Sequence, residues 1–137
     1  MIGILLMSHG KMAEGMLDSA KLFYGEVEKV KAICLEPGDN PEDFGNRIKE
    51  AAAELDTDGC GVIAFCDLLG GTPSNQSMYV LNDRLQVIPG MNFCMLLELL
   101  GARMSYDNID DINIDDLIET GKNGILSLNA IVNQAKQ

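Results

Sequence analysis

The chain has 137 residues, of which 47% are hydrophobic and 23% charged, with 21 acidic and 10 basic side chains and a net charge of −11. That length suits one domain with its own core, read as 1–137, and the apolar content excludes a disordered chain. The acidic balance argues against nucleic acid and anionic membrane as partners. The four cysteines, Cys34, Cys60, Cys66 and Cys94, show neither a paired CxxC nor metal-ligand spacing. They read as reduced thiols packed as small hydrophobes, which suits a cytoplasmic protein with no metal.

In chain order, Ile2–Met7 is an apolar run of the kind that forms a buried parallel strand. Lys11–Tyr24 follows as a helix with apolar positions at 12, 16, 20 and 23, ended by Gly25. Val30–Leu35 is a second, weaker strand. Asn40-Pro41-Glu42-Asp43 is a helix start, with Asn as N-cap, Pro at the first helical position and acids in the first turn. Phe44, Ile48, Ala52 and Leu55 are its buried stripe. Gly61–Cys66 is a third, wholly apolar strand, and Asp67–Gly71 is its glycine-rich exit loop. Thr72-Pro73 opens the next helix with Thr as N-cap.

Leu85–Ile88 is a fourth strand, stopped by Pro89-Gly90. Asn92 caps a helix that buries Met95, Leu96, Leu99 and Leu100. The acidic stretch Asp107–Asp116 is a solvated connection, and the apolar series Ile114, Ile118, Gly121, Ile125 and Leu128 predicts one final helix. Residues 129–137 read either as an added antiparallel edge strand or as a tail. Alternating strands and helices predict an α/β, doubly wound, mostly parallel sheet of four to five strands in flavodoxin-like order 2-1-3-4. No stretch is long enough to span a bilayer.

This topology places a chemical expectation on the only histidine, His9. His9 leaves the first strand and Asp67 the third. Adjacent strands would bring both to the crevice at the carboxyl ends, where ligands bind in open sheets. A carboxylate fixes an imidazole's tautomer and leaves the other nitrogen nucleophilic. The turn Gly70-Gly71-Thr72 offers backbone and hydroxyl donors to an anion, and Ser8 and Gly10 flank the histidine as further phosphoryl-binding candidates. Together these residues predict phosphoryl transfer through phosphohistidine, with His9 and Asp67 catalytic. A P-loop, a dinucleotide fingerprint and a GxSxG elbow are all missing, and Ser8 stands where a histidine phosphatase would need arginine. A binding or regulatory module without covalent chemistry is the alternative.

Three stretches carry a family resemblance: Met7-Ser8-His9-Gly10, Cys66-Asp67-Leu68-Leu69-Gly70-Gly71-Thr72-Pro73-Ser74-Asn75 and Gly90-Met91-Asn92-Phe93-Cys94-Met95-Leu96. Over about residues 1 to 128 the chain resembles the IIA component of the mannose-type sugar phosphotransferase system. The resemblance implies a cytoplasmic homodimer without cofactor, with His9 as phosphoryl acceptor, Asp67 as its orienting carboxylate and Thr72 as the loop hydroxyl. It implies the phosphocarrier HPr as donor and a separate IIB component as acceptor, feeding membrane IIC and IID components. A related IIA-like domain instead serves a dihydroxyacetone kinase. The resemblance also implies an edge strand near the carboxyl end exchanged between subunits. One departure is Cys94, where the family usually carries Pro.

Overall fold

A computed structural model describes residues 1–137. The chain runs β1 (Gly3–His9), α1 (Met12–Tyr24), β2 (Val30–Leu35), α2 (Pro41–Leu55), β3 (Val62–Cys66), α3 (Thr72–Ser77), β4 (Leu85–Pro89), α4 (Phe93–Ala102), α5 (Ile114–Asn123) and α6 (Leu128–Ala135), with a 3₁₀ turn at Ile109–Asp111. The four strands pair in the order β2-β1-β3-β4, all parallel, as the sequence predicts.

Side-chain alternation divides the two central strands between two cores, which is why they read as continuous apolar runs. Ile4, Leu6, Ile63 and Phe65 point to a layer made by α1, α4 and α5. Leu5, Met7, Ala64 and Cys66 point the other way, against Phe44, Ile48, Ala51 and Leu55 of α2. Gly3 is required where β1 passes α2: a Cβ there would stand 2.8 Å from the Leu55 Cβ. Arg103, buried at the opposite end from the strands' carboxyl termini, ties the chain together. Its guanidinium donates to the carbonyls of Ile2 (3.0 Å) and Glu28 (2.6 Å).

The cap at Asn40 forms as expected, its side chain accepting from Glu42 and Asp43. Asn92 likewise accepts from the Met95 N–H at 3.0 Å. So α4 starts from an ordinary Asn cap with Cys94, rather than Pro, exposed in its first turn.

The structure corrects the sequence reading in four places. β1 continues two residues past Met7, because Ser8 and His9 keep pairing with Cys34 and Leu35 of β2. The N-cap of α3 is Gly71, and Thr72 is the first helical residue. The expected final helix is two helices, broken after Asn123, where Gly124 closes α5 with bonds to the Thr120 and Gly121 carbonyls. Residues 129–137 are neither edge strand nor tail. Most of them lie in α6, which Ser127 caps by accepting from the Ala130 N–H. The spacing of Leu128, Ile131 and Val132 is helical rather than alternating, and local capping wins over a distant strand pairing. No helix is long and apolar enough to cross a membrane.

Candidate functional site

The strand register brings the site together. Met7 of β1 lies beside Cys66 of β3, so His9 and Asp67 leave neighbouring strands at the same end of the sheet. One carboxylate oxygen, Asp67 Oδ2, accepts from two His9 groups: the backbone N–H at 2.9 Å and Nδ1 at 2.7 Å. The second oxygen, Oδ1, accepts from the Leu68 N–H at 3.0 Å. Burial of the carboxyl works to raise its pKa. The hydrogen bonds from the His9 backbone and side chain, the His9 charge and the Leu68 N–H outweigh it and hold the group below the ordinary carboxylate value. An ionised carboxylate only accepts, so Nδ1 carries a proton, and it is Nε2 that holds the lone pair of the neutral ring. The His9 side chain is 45% exposed while that of Asp67 is 9% exposed, so the imidazole faces solvent and the carboxylate bonded to it does not.

The glycine loop closes the other side of the ring. A Cβ on Gly71 would collide with the imidazole, lying 3.0 Å from Nε2. Gly71 has φ −86°, an extended backbone open to any residue. The glycine here serves close approach, not an unusual conformation. Gly70 does need its φ of +93°. Its N–H is not available to a ligand, since it donates to Ser74 Oγ at 2.9 Å. The N–H groups of Gly71 and Thr72, at the start of α3, donate to no acceptor within the chain.

The sequence-predicted residues therefore divide. His9, Asp67 and Gly71 meet at the carboxyl end of the sheet, with Gly70 and Thr72 on either side of Gly71 in the loop. Ser8 is fully buried, and its hydroxyl is consumed by the turn: it donates to Gly10 O and accepts from the Ala13 N–H, both at 2.8 Å. It supplies the acceptor that Lys11, at the N-cap of α1, does not. Gly10 takes φ +60°, and its N–H is spent on Leu35 O at 2.8 Å. These two shape the turn that presents His9, with no donor left over for an anion. Sequence reasoning passed over Ser74 and Asn75, which bind the glycine loop from inside α3. A Ser three residues after the Gly-Gly pair is the feature that could have drawn notice.

Beneath the site, burial and then the nearby Asp67 charge push the Cys66 thiol up to about 11. The thiol stays neutral beside the carboxylate. Leu68 and Leu69 stand exposed in the loop that follows Asp67.

Residues 3–114 match the family described as PTS system fructose IIA component. The chain is 36% identical over 131 residues to the PTS system mannose-specific EIIAB component of Escherichia coli (strain K12), covering 94% of this chain and 40% of that protein. It thus spans about two fifths of the length of the mannose-specific relatives it matches. It is 33% identical to the PTS system sorbose-specific EIIA component of Klebsiella pneumoniae, over 87% of this chain and 83% of that one. Among solved structures, a PTS IIA protein associated with the fucose utilization operon of Streptococcus pneumoniae superposes with a TM-score of 0.83 at 32% identity, covering 95% of each chain. A mannose/sorbose specific IIA subunit of the phosphotransferase system from Enterococcus faecalis superposes with a TM-score of 0.78 at 27% identity, covering 93% of this chain and 94% of that one.

Proposed function

The chain belongs to the PTS fructose IIA component family, and on that premise we propose that it is a phosphoryl carrier that works through a phosphohistidine at His9. The observation that carries the reading is the pair of hydrogen bonds from His9 to Asp67 Oδ2, which leaves Nε2 as the nucleophile of a half-exposed ring. In the first step the Nε2 lone pair attacks the phosphorus of a donor phosphohistidine on HPr. The donor N–P bond breaks, and its electron pair returns to the donor imidazole. In the second step a nucleophile of a IIB component takes the phosphoryl group and Nε2 recovers its lone pair. Asp67 stays ionised and supports the positive charge that phosphorylation places on the ring. The N–H groups of Gly71 and Thr72, with the Thr72 hydroxyl, are the donors proposed for the phosphoryl oxygens.

Incubation with phosphoenolpyruvate, the first enzyme of the system and HPr should add one phosphate to His9, acid-labile and stable to base. Absence of label, or label that survives His9→Ala, would overturn the reading. A transfer assay to a IIB protein, run beside one to a dihydroxyacetone kinase, separates the sugar-transport role from the kinase-donor role, and transfer to IIB is expected.

The proposed working form is a cytoplasmic homodimer. Ile125, Leu126, Leu128, Ile131 and Val132 are exposed in the single chain, and α6 buries none of its residues. An apolar run of that size at one end of a chain supports an interface. Sedimentation should give twice the chain mass.

A further inference from the structure

We infer that Ser74 and Asn75 are positioning residues for His9, a reading that rests on the phosphocarrier role proposed above. Neither side chain hydrogen-bonds to the imidazole. Both grip the loop that walls it. Ser74 Oγ accepts from the Gly70 N–H at 2.9 Å, and Asn75 Nδ2 donates to the Gly70 carbonyl at 3.1 Å. The next peptide is held as well: Gly71 O accepts from the Asn75 N–H at 2.9 Å and from Ser74 Oγ at 3.5 Å. Gly70 is thus fastened at both its donor and its acceptor, and Gly71 at its acceptor.

The consequence falls on the imidazole. Gly71 stands so close to the ring edge carrying Cε1 and Nε2 that no Cβ would fit between them. Asp67 holds the ring's other nitrogen, Nδ1, on the far side of Cε1 from Nε2. The ring is confined between a carboxylate that pulls and a backbone that blocks. A loop of two glycines has the most conformational freedom to lose, and it would not stand as a wall unaided. Ser74 is 4% exposed, so its hydroxyl competes with little water for the Gly70 N–H. The clamp keeps Nε2 aimed at the incoming phosphorus and keeps Nδ1 on Asp67.

The test compares Ser74→Ala, Asn75→Ala and the double variant with Ser74→Thr, which retains the hydroxyl. Two readouts are needed. One is long-range ¹H–¹⁵N NMR of the imidazole, which reports the tautomer without any phosphoryl donor. The other is the rate of phosphoryl transfer from phosphorylated HPr. In the unaltered chain a single Nδ1–H tautomer is expected. The double variant should show averaged imidazole nitrogen shifts. Its maximal transfer rate should fall by about 10- to 100-fold, with KM for the donor within about twofold. Ser74→Thr should behave as the unaltered chain does. Folding of each variant is checked by its near-ultraviolet circular dichroism. Asn75 is exposed, so Asn75→Ala keeps the comparison alive if the buried Ser74 change unfolds the chain. Folded variants with an unchanged tautomer and unchanged transfer would overturn the inference. If the unaltered chain takes no phosphate at all, the carrier reading fails, while the NMR comparison still decides the clamp.

Discussion

His9 and Asp67 are 58 residues apart in the chain, yet one oxygen of Asp67 receives both the backbone N–H and the Nδ1 of His9. The double contact ties the carboxylate to the strand that carries the imidazole as well as to the ring itself. Strand position and ring orientation are therefore set by the same group. That economy makes Asp67 the most informative residue to change.

Asp67→Asn keeps the shape and removes the charge. An amide can turn either its oxygen or its NH₂ towards Nδ1, so the tautomer is no longer enforced. Transfer is expected to fall by about 10²- to 10⁴-fold, in the range seen when a tautomer-setting carboxylate is lost elsewhere. Rapid-quench kinetics with labelled HPr would measure it, and a fall of less than about threefold would show that Asp67 does not set the chemistry.

The same carboxylate gives the fold a dependence on acid. Its pKa is lowered in the folded chain, so its contribution to stability is fully present above the unfolded value of about 3.9 and is lost as pH falls through the lower folded value. Urea denaturation of the unaltered chain and of Asp67→Asn should therefore converge as pH falls below about 4 and stay separate at neutral pH. Parallel curves across that range would contradict the assigned hydrogen bonds.

Gly71→Ala isolates sterics from backbone strain. The φ of −86° suits alanine, so the fold should survive with little change in melting temperature. The new methyl must push the imidazole aside. A transfer rate lowered by about 10²-fold in a protein of near-normal stability is the expected pairing. Unfolding of the variant, or normal transfer, would speak against the close approach.

The cysteines should separate by reactivity. Cys94 is exposed and Cys60 half-buried, whereas Cys34 and Cys66 are buried. The Cys66 thiol, pushed up to about 11, is almost wholly protonated at pH 8. A thiol reagent at pH 8 should modify Cys94 first and Cys60 more slowly, with Cys34 and Cys66 reacting only after denaturation. Mass mapping of the modified peptides would check the order.

Arg103 is 6% exposed and answers the carbonyls of Ile2 and Glu28 from 101 and 75 residues away. Arg103→Met leaves both carbonyls without that donor, and a loss of about 2–3 kcal/mol in urea unfolding is expected. Transfer at a temperature where the variant is folded should be unaffected, because the residue lies at the far end of the sheet.

Much of the molecule was legible before any coordinates. The apolar runs at Ile2–Met7 and Gly61–Cys66 read as buried strands, and both are central in the sheet. The caps at Asn40 and Asn92 announced their helices, and parallel crossovers left few strand orders open. Those are local properties of composition and period, and they determined the sheet, its order and the end where His9 and Asp67 emerge. What only the tertiary structure decided depends on contacts between segments far apart or on competition for one hydrogen-bonding group. Ser8 looked ready to bind an anion until the turn was seen to consume its hydroxyl. The chain after Ser127 could have joined the sheet, but its own cap and helical spacing prevailed. That Gly71 presses on the imidazole, and that Ser74 and Asn75 hold it there, follows from how α3 leaves β3 beside β1. No periodicity encodes that distance; it exists only once the strands are in register.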